Sequence, residues 1–169
     1  LKKEIWLIRR KKIINFIKLL ISIAIPLLVG FIGSFFTSVS VKTWYPTLAK
    51  PFFNPPNWLF APVWTTLFVL IGISFYLVWS KGFGNNKFLV IGIFAINLLL
   101  NLSWSLLFFS LKNPFLAFVD IIILWLVILG NILVFYNISK PTGILLIPYF
   151  LWVSFATVLN YYIYVLNRL

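Results

Sequence analysis

The side chains able to do chemistry in this chain are few, and most are indoles and amides. Asn97, Asn101, Trp104 and Phe108 follow i, i+4, i+7 and i+11, so on a helix they share one face. Pro148, Trp152, Ala156 and Asn160 make a second stripe at spacing four, and Asp120, Leu124, Val127 and Asn131 a third. Trp64 and Phe68 form a shorter pair, with Trp58 just upstream. Four segments thus turn an amide, carboxylate or indole face toward a common interior. The chemistry such an interior can do is stacking on a flat apolar molecule and hydrogen bonding to its few polar atoms.

The missing residue types exclude much else. There is no Cys, His or Met, which removes disulfides, thiolate and imidazole metal sites, Ser-His and Cys-His nucleophile pairs and haem ligation through those side chains. The two acids are Glu4 and Asp120, too few for a buried carboxylate pair or a carboxylate cage for calcium. No metal site and no required cofactor is expected.

The elements that must hold these stripes are membrane helices. Of 169 residues, 63% are hydrophobic and 9% charged, and the mean hydropathy is +1.08, whereas soluble domains carry about 25% charged residues. Five runs reach the ~20 apolar residues that span a bilayer: about 19–38, 58–79, 88–109, 115–136 and 143–165. None alternates polar with apolar as a barrel strand does. The fold expected is an all-α integral membrane bundle of five helices, one domain over residues 1–169, with a basic N-terminal tail at 1–18. Asn113-Pro114 reads as a cap and first-turn proline, and Lys81 to Asn86 as a turn. Pro141-Thr142-Gly143 separates the fourth and fifth helices, and Pro26 and Pro148 should kink the first and fifth. The connection from Val39 to Asn57 is much longer than the rest and rich in Pro and aromatics, which reads as an ordered lid. The first helix, longer than a signal-peptide core and lacking a good cleavage site, is expected to be retained.

Each stripe has a plainer reading. An intramembrane Asn serves a neighbouring helix as readily as a ligand, at ~0.6 kcal/mol on average. Trp58, Trp79 and Tyr136 suit interfacial anchors, whereas Trp64, Trp104 and Trp152 lie deeper. For Asp120, with no His or second acid to relay protons, a hydrogen bond to a neighbouring helix or to the loop is favoured over a functional charge. Leu159, Tyr162, Tyr164 and Arg168 fit a proposed sterol pattern that aromatic helix ends meet readily.

Ten of the basic residues fall in the tail and the second and fourth loops, against four in the first and third loops and the C-terminus. That bias predicts the N-terminus inside. The net charge of +12 then serves topology and anionic lipid rather than nucleic acid. The heavy use of Ile, Phe, Asn and Lys points to a bacterial source, hence a bacterial cytoplasmic membrane.

The stretch Trp44-Tyr45-Pro46-Thr47-Leu48-Ala49-Lys50-Pro51, followed by Pro55-Pro56-Asn57-Trp58 and Phe60-Ala61-Pro62-Val63-Trp64, resembles the hallmark of the TspO/MBR family. This family comprises the tryptophan-rich sensory proteins and translocator proteins. The match continues through Asn97, Asn101 and Trp104, Ala117 to Asp120, Pro148 to Trp152 and Phe155 to Asn160. The resemblance implies a dimeric five-helix bundle whose cavity is capped by the first loop and takes protoporphyrin or related tetrapyrroles. Sterols and other apolar molecules are the alternative ligands, with transport as a further reading. By position, the cavity would be lined by Trp44, Tyr45, Trp64, Asn97, Asn101, Trp104, Trp152 and Ala156, with Lys50 near a propionate. Some members are reported to degrade protoporphyrin in light, which would make Trp64 and Trp152 the catalytic pair. Gly92 and Ala95 are a sparse version of the dimer seam of some relatives, and Gly30 with Ser34 offers another small-residue pair.

Overall fold

Nothing in the chain before Pro26 interrupts a helix, and Lys, Arg, Glu, Leu and Ile all tolerate one well. The computed structural model, which describes residues 2–168, accordingly begins with one helix, α1, over Lys2–Thr43. At 42 residues it is ~63 Å long, about twice the hydrocarbon thickness. The basic segment expected as a tail is therefore the first part of α1. The apolar run marks where that helix meets lipid, and its helical structure extends beyond the run at both ends.

The remaining helices are α2 (Asn57–Ser80), α3 (Lys87–Ser105), α4 (Pro114–Ile138), α5 (Lys140–Ile144) and α6 (Ile147–Leu166). A π turn, Leu106–Ser110, continues α3. Among the described residues there is no strand. Five stretches are long and apolar enough to cross a membrane: Arg9–Thr43, Asn57–Ser80, Lys87–Ser110, Pro114–Ile138 and Lys140–Leu166.

Local chemistry sets the boundaries. Leu116 N–H donates to Asn113 Oδ1 at 3.0 Å, and Leu89 N–H donates to Asn86 Oδ1 at 3.0 Å, so each Asn caps the helix that follows it. The fifth crossing departs from expectation. Pro141-Thr142-Gly143 lies within α5, and the break falls at Leu145 and Leu146, leaving Pro148 in the first turn of α6. A proline there lacks only an N–H that has no helical partner anyway, so the chain breaks before Pro148 and does not bend around it. Thr142 Oγ1 donates to Phe135 O of α4, and a Cβ on Gly143 would lie 2.6 Å from Tyr136 Cβ. Only glycine allows α5 to pass α4 that closely.

Two buried clusters hold the bundle together. The larger runs through α2, α3, α4 and α6, with Phe75 stacked on Phe94 at 3.9 Å between centroids. The smaller gathers Tyr45, Phe108, Phe109, Ala117, Leu159 and Ile163 beneath the first loop. α1 packs against α2 where Gly72 leaves room: a Cβ there would lie 2.6 Å from Ile23 Cα. Phe35, Leu99, Leu133 and Leu151 point outward and are more than half exposed, as a lipid-facing surface requires.

Candidate ligand-binding site

A cavity of about 590 Å³ lies between α1, α2, α3 and α6, beneath the loop that joins α1 to α2. Its wall is aromatic, with Tyr45 from the loop, Phe60, Trp64 and Phe68 from α2, Trp104 from α3 and Trp152 from α6. The π turn adds Phe108 and Phe109, both buried. Tyr45 closes over these two rings at 6.2 and 6.0 Å. The widened turn re-aims two successive bulky side chains, a use typical of π bulges near sites.

The loop is shorter than expected, because α1 continues to Thr43; residues 44–56 form it. It is firmly fixed. Tyr45 Oη donates to Asn54 Oδ1 at 2.6 Å, and burial pushes the Tyr45 phenol up to about 12 against the opposing pull of that bond. Lys50 Nζ sits 4.7 Å from the Tyr45 ring centroid and donates to Leu48 O at 3.1 Å. Asn167 clamps Ala49 through both amide atoms, at 3.0 and 2.9 Å. Phe53 meets Tyr162 edge-on at 5.4 Å.

Of the eight residues expected to line the cavity, Tyr45, Trp64, Asn101, Trp104, Trp152 and Ala156 do so, and Trp44 and Asn97 do not. Trp44 packs edge-on against Phe108 at 5.6 Å, outside the wall. Asn97 is turned to Tyr149, whose hydroxyl donates to Asn97 Oδ1 at 3.1 Å. Asn101 Nδ2 donates to the same hydroxyl and, at 3.1 Å, to Asn97 O. Trp104 Nε1 donates to Asn160 Oδ1 at 3.0 Å, and Asn160 Nδ2 donates to Pro114 O at 2.8 Å. The amides are thus committed to holding α3, α4 and α6 together.

Trp152 differs. Its Nε1 is buried and has no hydrogen-bond partner among the described residues, although the indole lines the cavity. Lys42, at the mouth, supplies the wall's cation, and among the described residues no carboxylate lines the cavity. The Lys50 expected near a ligand's acid group is engaged elsewhere.

Two further expectations change. α4 contributes nothing to the wall; its stripe is spent on packing, and Ser103 Oγ donates to Asp120 Oδ1 across to α3. α1 takes its place, and Gly30 and Ser34 line the cavity. A Cβ on Gly30 would lie 2.5 Å from the Phe68 ring, so Gly30 serves an intrachain contact between α1 and α2. The proposed sterol residues are not brought together: Leu159 lines the cavity, while Tyr162 meets the loop and Tyr164 meets Phe115 and Arg168. Among the described residues no group of three or more His, Cys, Asp or Glu could hold a metal.

Fold and site together define an integral membrane helical bundle with an aromatic cavity under an ordered loop. The sequence pattern of the TspO/MBR family matches residues 22–166. The tryptophan-rich protein TspO of Archaeoglobus fulgidus is 50% identical over 153 residues, covering 90% of this chain and 99% of that protein. That of Chlorobaculum tepidum is 46% identical over 150 residues, covering 88% and 95%. The human translocator protein is 35% identical over 138 residues, covering 80% and 82%. The chain belongs to the TspO/MBR family.

Proposed function

We propose that this protein is a membrane receptor or carrier that holds a flat, amphipathic tetrapyrrole of the protoporphyrin type in the cavity beneath the loop. The observation that carries this reading is a large aromatic wall that holds a buried donor with no partner among the described residues, Trp152 Nε1, and a cation, the Lys42 ammonium at the mouth. A macrocycle would stack on the indoles, accept from Trp152 and leave a propionate near Lys42. A sterol, with one hydroxyl, would leave Lys42 unused. The end bearing the N-terminus of α1 would face the cytoplasm, following the charge bias.

Trp152→Phe keeps the ring contact and removes the donor. It is expected to weaken protoporphyrin binding in the dark about five- to tenfold, the range for one hydrogen bond. Fluorescence titration of the purified variant measures this, with circular dichroism reporting the fold. Unchanged affinity in a folded variant would exclude the assigned contact.

A further inference from the structure

The opposite end of the bundle holds a second, smaller pocket of about 380 Å³, between the α2–α3 turn and the end of α4. Its polar lining comes from Lys81, Asn85, Asn86 and Asn137, and Phe83 and Ile138 are among its apolar walls. We propose that this pocket binds the phosphate headgroup of an anionic membrane lipid. The inference stands apart from the tetrapyrrole reading, since no residue is shared between the two cavities.

Four observations point to that ligand. The pocket sits where α2 and α4 end and α3 begins, at the level of lipid headgroups, with an apolar side for the start of an acyl chain. Lys81 Nζ donates to Ser139 Oγ at 2.8 Å, which fixes the ammonium at the rim and leaves it two further donors. The side-chain amides of Asn85 and Asn137 have no hydrogen-bond partner among the described residues, whereas Asn86 Oδ1 is taken by the Leu89 N–H. The surroundings are also strongly positive. Lys18 stands 5.5 Å from the Trp79 ring and Lys87 5.7 Å from the Phe83 ring, so both lie at this end. Arg9 to Lys12 on the same end of α1 and Lys140 on α5 add to the field, which draws anions from the bilayer surface.

The turn is also held in shape at some expense. Gly82, Phe83 and Gly84 are consecutive residues with φ of +83°, +67° and +64°, and a non-glycine residue there is strained. Burial of the Phe83 ring against Phe75 and Trp79 offsets that strain. Lys81 and Asn85 are thereby presented on a defined backbone.

Native mass spectrometry of the intact protein in detergent, with phosphatidylglycerol and phosphatidylcholine supplied together, tests the proposal. The wild type is expected to retain phosphatidylglycerol about fivefold better, the scale of one basic residue near a membrane. Lys81→Gln should abolish that preference, Lys81→Arg should keep it, and Lys140→Gln, outside the pocket wall, should leave it intact. Equal retention of the two lipids by the wild type would overturn the proposal. So would a loss in Lys140→Gln as large as in Lys81→Gln, which would mark a diffuse charge effect. Displacement of the lipid by millimolar inorganic phosphate would reassign the pocket to free phosphate and overturn the lipid assignment. An unchanged circular dichroism spectrum and thermal midpoint in Lys81→Gln show that the variant is folded.

Discussion

Tyr149 is the residue on which the polar interior turns. It is fully buried in α6, and its hydroxyl is shared between Asn97 and Asn101 of α3. Removing that hydroxyl would leave two buried amides short of a partner in a medium with no water to replace it. Tyr149→Phe is therefore expected to destabilise the protein by about 1–3 kcal/mol, seen as a lower thermal midpoint in detergent; an unchanged midpoint would show that water or lipid satisfies the amides. The spacing of Asn97 and Asn101 was legible in the sequence, but their destination was not. Helical periodicity puts both on one face without telling a ligand from a neighbouring hydroxyl, and Tyr149, though within the Pro148 to Trp152 match, falls outside the stripe of Pro148, Trp152, Ala156 and Asn160.

At the scale of elements, the loop from Trp44 to Pro56 is the least regular part of the chain and among the best secured. Its key phenol, Tyr45, is neutral when folded, with a pKa raised from 10 to about 12 by burial. A raised acid pKa means that the stabilising contribution is complete below pH 10 and is lost as pH rises from 10 toward 12. Comparing thermal midpoints of wild type and Tyr45→Phe between pH 8 and 11 isolates this one group. The wild type should lose ground to the variant above pH 10, and parallel curves would contradict the assignment. The lid itself was legible, because its aromatics and prolines exclude both a spanning helix and disorder. The length of α1 was not, since hydropathy marks where a helix meets lipid and is silent on where the helix ends. The break before Pro148 was likewise misplaced, as Pro suits a first turn as well as a kink.

Across the whole molecule, five crossings and their order follow from apolar length alone, because lipid leaves the backbone few other options. Which helices surround the cavity does not follow. In water one face of a helix is polar and the inside can be read; in lipid both faces are apolar. The stripe of α4 therefore resembled those of α3 and α6, while α1 supplies a wall through the small polar stripe of Ser34, Ser38 and Lys42. Small residues such as Gly30 and Gly33 were the available signal, since they let α1 approach Phe68 and Ser105. The cavity is proposed to receive a flat, aromatic, anionic ligand. The most direct test is a titration of purified protein with protoporphyrin in the dark, following tryptophan fluorescence. Saturable quenching at one ligand per chain is expected, because Trp64, Trp104 and Trp152 all line the site. Quenching that rises linearly without saturation, as for free indole, would contradict a built cavity for this ligand.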